Sequence, residues 1–302
     1  MATQTQVHST SMLSSSPSKI KTRSMLGRVI GTFSISAIAV FGFLKFESED
    51  RKLFASEQKG QLSTAQAPTE PEPLGSKPDF SAFTDVNEKK QTFFEYLGQG
   101  VAIENHRIEG ERAKLLAMQD ALNTDESINS GLQSYARRLG KLYSHSVPAD
   151  GVDQEWLNIM LSRVNVLPQA LVLTQAANES AWGTSRFATQ ANNYFGQWCY
   201  QQGCGLVPLQ RNEGASHEVA KFDSVQESIH RYFMNVNRNA AYRDLRTIRT
   251  ALSSNDNDLL NPEAAIELAQ GLLAYSERGQ AYVNDIQAMI RHNNKYWDSL
   301  TQ

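Results

Sequence analysis

The chain has 302 residues, 40% of them hydrophobic, with a formal net charge of −3 and a sequence pI of about 6.1. That length allows one large or two small domains, and the balance gives no support to a nucleic-acid partner, which requires a basic surface. Composition is otherwise ordinary, so the distribution of residues along the chain carries the argument.

Residues 1–46 contain no Asp or Glu but carry Lys19, Lys21, Arg23 and Arg28, followed by the apolar run from Val29 to Leu44. A basic flank ahead of an apolar stretch predicts a membrane-targeting segment with its N-terminus in the cytoplasm. We take 1–28 as a basic cytoplasmic tail and 29–46 as a signal anchor, favoured over a cleaved signal peptide because no good small-x-small cleavage site follows. Either reading places the rest of the chain outside the cytoplasm, either anchored in the inner membrane facing the periplasm or exported. Residues 47–78 hold four of the nine prolines among Glu, Gln, Ser and Thr, a composition too polar to offset ordering entropy. This stretch is expected to be a disordered linker.

From Asp79 helical patterns dominate. Phe93, Phe94, Leu97, Val101 and Ile108 share one face of a first helix. Leu115, Leu116, Met118 and Leu122 continue a second pattern, and Leu132 to Leu142 a third. Together 79–148 is expected to be a helical N-terminal region, with a further domain over 149–302. Asp153 is placed to cap a helix through Ser162, and Pro168 suits the start of another running to about Ala181, where Gly183 is a natural stop. The small residues Ala170, Ala176 and Ala177 predict that this helix is central, because small side chains let neighbours approach.

Residues 192–222 change character, becoming rich in Gly, Gln, Asn and aromatics. Leu206–Leu209 and Glu218–Phe222 predict a β-hairpin with Asn212–Ser216 as its turn. Ser224 and Glu227 form a capping-box pattern that opens another helix. Pro262 opens a helix through about Tyr275, and a last helix runs from about Gln280 to Trp297. The expected fold class is mainly α with one small β lobe, preceded by a membrane segment and a linker.

The two cysteines, Cys199 and Cys204, are spaced C-x4-C. In an exported, oxidising compartment a local disulfide is the favoured reading, ahead of two free thiols. Zinc would need more soft ligands nearby. The histidines (His106, His145, His217, His230 and His292) show no metal spacing, so neither a metal nor another cofactor is expected.

Glu179 ends the central helix within Asn178-Glu179-Ser180-Ala181-Trp182-Gly183. Burial and the negative end of the helix dipole both disfavour its carboxylate, which would leave a carboxylic acid available near neutral pH as a general acid. A glycosidic oxygen is a poor leaving group until protonated, so such an acid suits glycoside cleavage. On periodicity alone, a structural glutamate in a hydrogen-bonded pair is the simpler reading.

The stretch A-A-N-E-S-A-W-G-T-S resembles the A-x-x-E-S-x-W-G-x-S motif of the glucosaminidase family of peptidoglycan hydrolases, and Asn192-Asn193-Tyr194-Phe195-Gly196 matches that family's N-x-F/Y-G turn. Ala220-Lys221-Phe222-Asp223-Ser224 and the segment from Ala274 to Tyr282 match more loosely, the latter without the usual Asp-Pro. The resemblance covers about residues 150–298. It implies a lysozyme-like helical fold with a small β lobe, peptidoglycan glycan strands as substrate, and Glu179 as the catalytic acid. It also implies a second carboxylate on the hairpin, Glu213 favoured over Glu218, and a late tyrosine, Tyr282 or Tyr275, that orients the sugar acetamido group. The plain reading of those tyrosines is core packing.

Around the cysteines, Tyr194, Phe195 and Trp198 offer ring faces on which sugars stack, with Trp182 beside the acid; Phe195 also suits a small hydrophobic cluster. The expected activity is an endo-β-N-acetylglucosaminidase. The alternatives are a lytic transglycosylase, which needs a single acid/base Glu, and an inactive peptidoglycan-binding scaffold.

Overall fold

The computed structural model describes residues 72–124, 126–209, 216–255 and 258–297. The tail, the apolar run and the linker up to residue 71 lie outside the described residues, as does Glu213. Among the described residues no helix is long and apolar enough to cross a membrane.

Helix α1, Val86–Asn123, is 38 residues long. Asp85 caps it, its carboxylate accepting from the amides of Asn87 at 2.7 Å and Glu88 at 2.9 Å. The two helices expected across this stretch are one. No proline intervenes, and isolated glycines such as Gly110 cost only about 1 kcal/mol each relative to alanine. Phe93, Phe94, Leu97, Val101, Ile108, Leu115 and Met118 are all buried along it. Helix α2 (Ser130–Leu142) follows under an Asn129 cap, and α3 (Gln154–Arg163) under the expected Asp153 cap.

Helix α4, Gln169–Ser180, starts directly after Pro168, whose fixed φ suits a helix entry. Nine of its twelve residues are buried, so it is the central helix that its small residues predicted. It packs against α1 and two later helices, α8 (Pro262–Leu268) and α9 (Gln280–His292). One hydrophobic cluster runs from Phe80 to Trp297, so α1 and the C-terminal helices share a core on both sides of residue 149.

After a short helix α5 (Arg186–Ala191), the β lobe is a three-stranded antiparallel sheet: β1 (Trp198–Cys199), β2 (Gly205–Leu206) and β3 (Glu218–Ala220), in the order β1-β3-β2. The expected hairpin pairs β2 with β3. In addition β1 lies on the other edge of β3, with Trp198 opposite Val219 and Cys199 opposite Glu218. Cys199 and Cys204 form a disulfide across this lobe.

Ser224 caps α6 (Val225–Arg238): its hydroxyl accepts from the Glu227 amide at 3.0 Å, and the Glu227 carboxylate accepts from the Asp223 amide at 2.9 Å. Helix α7 (Arg243–Ser254) is an element the periodicity did not announce. Helix α8 stops at Leu268, short of the expected Tyr275, and tightens into a 3-10 turn over Ala269–Leu272. Gly271 explains the change of path. It lies so close to α7 that an added Cβ would meet the Leu245 N and Cα at 2.3 Å. The obstacle is backbone, which cannot swing aside, so Gly271→Ala is expected to destabilise the fold by about 3 kcal/mol, in the upper range for overpacking. A lower urea midpoint would register that loss. The last expected helix is also broken, at Asn293, whose side chain donates to the Met289 carbonyl at 2.8 Å, so α10 (Asn294–Trp297) is a separate turn.

Arginines close several helix C-termini, where carbonyls lack intrahelical donors. Arg112 donates to the carbonyls of Leu161 and Val164 at 2.6 and 3.0 Å. Arg246 donates to Val236 O and Asn239 O, each at 2.8 Å. Arg249 is fully buried and reaches Ser162 O, Arg163 O, Asn165 O, Val166 O and the Asn237 side-chain oxygen. These contacts fix the turn that launches α4.

Candidate active site

The end of α4 is unusual in its backbone. Ala181, Trp182 and Gly183 follow one another with φ of 50°, 57° and 77°. Left-handed geometry is uncommon for residues with a Cβ and persists only where its surroundings impose it. Here the surroundings do so. The Trp182 amide donates to Ala177 O at 2.9 Å, and the Gly183 amide to Ser180 Oγ at 2.8 Å. The Trp182 ring packs edge-on against Phe93 and Phe94, with centroids 5.5 and 5.2 Å away, and Lys90 Nζ sits 4.9 Å from its centroid. Gly183 faces Phe80, where an added Cβ would come within 2.3 Å of the ring. The E-S-A-W-G motif therefore encodes a sharp, braced helix exit one turn beyond Glu179.

Glu179 is partly buried. Its Oε1 accepts from the Tyr282 hydroxyl at 3.1 Å and from Asn178 Nδ2 at 3.1 Å; Oε2 has no hydrogen bond among the described residues. Burial pushes the carboxyl up to about 7, against the opposing pull of those two donors and of the Arg278 charge. A carboxyl poised there is protonated often enough near neutral pH to donate, and it gives up its proton readily.

Tyr282 is buried on α9, and its own hydroxyl accepts from Gln175 Nε2 at 3.0 Å. Gln175 Oε1 accepts from the Tyr232 hydroxyl on α6. Tyr275 stacks on Tyr282 with centroids 5.2 Å apart and donates to the Phe195 carbonyl at 3.0 Å. Phe195 in turn stacks on Tyr232 at 4.2 Å. Glu179, Tyr282, Tyr275 and Phe195 thus converge, although they come from separate parts of the sequence.

The Asn-Asn-Tyr-Phe-Gly turn is built by Asn193, which is buried. Its Nδ2 donates to Gln197 O at 2.8 Å and Ala220 O at 2.9 Å, while its Oδ1 accepts from the amides of Phe195 at 3.3 Å and Gln197 at 3.1 Å. This residue ties the loop to β3. Tyr194, Phe195 and Tyr275 are buried in the core and shape the site by packing. Tyr194 rests 6.2 Å from Phe93, with no hydrogen-bond partner for its hydroxyl among the described residues. Trp182 and Trp198 are only partly buried, and Trp198 stacks on His217 at 3.9 Å.

Glu218 is buried and accepts from the amides of Gly203 at 3.0 Å and Gly205 at 2.8 Å. Its carboxylate organises the backbone inside the disulfide loop. Glu218 also lies near both cysteine sulfurs, the one close His/Cys/Asp/Glu group found among the described residues, but those sulfurs are spent in the disulfide. Two site residues were not anticipated, Gln175 and Tyr232. Gln175 had a signal, since it precedes Glu179 by four residues and so lies on the same helix face. Tyr232 had none.

A strained helix exit, a perturbed carboxyl and a tyrosine held against it make a site able to deliver a proton. Residues 155–295 match the glucosaminidase family model, described as mannosyl-glycoprotein endo-beta-N-acetylglucosaminidase. That match points to a peptidoglycan-hydrolase type of role and to glycosidase chemistry. The chain is similar to Protein bax of Escherichia coli (strain K12), 29% identical over 223 residues, which are 73% of this chain and 75% of that protein. No solved structure gives a significant match.

Proposed function

We propose that the chain is an endo-β-N-acetylglucosaminidase that cleaves β-1,4 bonds of peptidoglycan glycan strands, with Glu179 as general acid. The observation that carries this reading is Glu179 itself: a carboxyl pushed up to about 7 by burial, held on one oxygen by Tyr282 at 3.1 Å. Glu179 protonates the glycosidic oxygen as the C–O bond to the anomeric carbon breaks. With Glu218 engaged by two backbone amides, the counter-charge at the anomeric carbon falls to Glu213 acting through water or to the sugar's own 2-acetamido group, a recognised exception to the two-carboxylate scheme. The basic flank and apolar run at 29–46 support anchoring in the inner membrane with the domain facing the periplasm.

The commitment of Glu218 to the backbone also favours a second reading, a lytic transglycosylase, in which one acid/base glutamate suffices. Digestion of purified peptidoglycan by the full chain, followed by reduction and mass spectrometry of the products, separates the two. Reduced GlcNAc ends are expected; 1,6-anhydro ends would make it a transglycosylase. Binding of the strands without any release would leave a scaffold and overturn both enzymatic readings.

A further inference from the structure

Tyr282 carries one hydroxyl proton, and its neighbours decide where that proton points. The decision begins two residues away. The Tyr232 hydroxyl donates to Gln175 Oε1, which fixes the Gln175 amide with its nitrogen towards Tyr282. Gln175 Nε2 then donates to the Tyr282 oxygen at 3.0 Å, so the Tyr282 proton is directed to Glu179 Oε1 at 3.1 Å. Every donor in the chain Tyr232, Gln175, Tyr282, Glu179 points the same way. Oε1 also accepts from Asn178 Nδ2, so it is occupied as an acceptor twice over.

We propose, resting on the reading of Glu179 as the general acid, that Gln175 and Tyr232 are positioning residues that set the direction of this chain and so confine the acidic proton of Glu179 to Oε2. The proton leaves Oε2 for the glycosidic oxygen, the bond from that oxygen to the anomeric carbon breaks with its electron pair going to the leaving oxygen, and Glu179 is left as a carboxylate. Its Oε1 then already faces the Tyr282 O–H, so the conjugate base forms in a site prepared for it.

The groups that face Glu179 come from several elements. Tyr282 is on α9, Tyr232 on α6, Tyr242 on the 3-10 turn after it, and Tyr275 precedes α9, as does Arg278; Asn178 is on α4 itself. The tyrosines are buried with their hydroxyls pushed upward, so they stay neutral donors over the working pH range, and Arg278 is the one fixed charge in this set.

Tyr232→Phe tests the proposal while keeping the ring that stacks on Phe195. Without the hydroxyl, the Gln175 amide is free to turn over and offer its oxygen to Tyr282. The Tyr282 proton then follows, and Glu179 loses a donor that favours its ionised form. The high-pH limb of kcat/KM is expected to move up by about half to one pH unit, with kcat down roughly tenfold and KM little changed. Gln175→Met removes the alternative acceptor, leaves Glu179 Oε1 as the oxygen that the Tyr282 hydroxyl donates to, and should move the limb far less. Tyr143→Phe is the control: it also deletes a buried hydroxyl, one bonded to Glu111 at 2.6 Å, but it does not touch the chain and should leave the limb in place.

The side-chain carboxyl carbon of Glu179, followed by NMR and assigned by its disappearance in Glu179→Gln, reads the same shift without any activity. An unmoved or lowered titration midpoint in Tyr232→Phe would overturn the proposal. Wild-type protein that releases no product would instead overturn the functional reading, leaving the NMR titration to decide on the chain alone.

Discussion

Glu179→Gln is expected to abolish glycan cleavage and, at the same pH, to make the folded chain more stable. The first effect follows from removing the proton donor, a loss of at least about 10²-fold. The second follows from linkage. The Glu179 carboxyl stands at about 7 in the folded chain against an ordinary value of 4.5. Between those values the native state binds more protons than the unfolded chain, so stability falls as pH rises through that window. Above pH 7 the native state carries a partly buried carboxylate at a cost of at most about 3 kcal/mol. Glutamine has the shape and neutrality of the protonated acid and escapes that cost. Urea unfolding of both proteins at pH 4 and pH 8 measures it. The curves should coincide at pH 4, and the variant should be more stable at pH 8. A difference independent of pH would sink the raised pKa, and with it the argument for Glu179 as acid.

Arg249→Met should give the opposite sign in stability. The guanidinium is fully buried and satisfies five oxygens, none of them a carboxylate. Methionine fills much of the volume but leaves the carbonyls of Ser162, Arg163, Asn165 and Val166 without this donor, in a place water reaches poorly. Orphaned buried acceptors are costly, and a loss of about 3 kcal/mol is expected, lowering the melting temperature by roughly 10 °C for a chain of this size. Arg249→Lys should recover only part of this, since an ammonium is a point donor and cannot span the fork. A melting temperature unchanged in the methionine variant would mean that the turn into α4 is held by Arg112 and the core alone.

Much of this arrangement was legible in the sequence, for local reasons. Asp153, Pro168, Ser224 and Pro262 mark helix starts because capping and proline chemistry act over a few residues. The small side chains of α4 announced its burial, and the motif after it announced a tight exit. The failures are equally physical. Breaks at Leu268 and Asn293, and the continuity of α1, depend on which helix lies alongside, and periodicity along one segment does not carry that information. Strand β1 is two residues long, too short for any alternation to register. Glu213 was favoured over Glu218 by the resemblance alone; the Gly203 and Gly205 amides show what Glu218 is engaged with. The membrane segment rests on the sequence alone.

Helix α1 has a consequence for the order in which the molecule assembles. Phe94 lies 5.3 Å from the ring of Tyr296 and 4.8 Å from that of Trp297, and Lys90 donates to Asn293 at 3.2 Å. About two hundred residues separate these partners along the chain. The N-terminal end of α1 therefore keeps part of its apolar stripe uncovered until nearly the last described turn has been made, although α3, α4 and α6 cover the rest of that helix earlier. Loop closure over that span must be met before these contacts can reward it, so this end of the core is completed late. A helix that precedes the family-matched stretch thus closes the core against residues just past the end of that stretch.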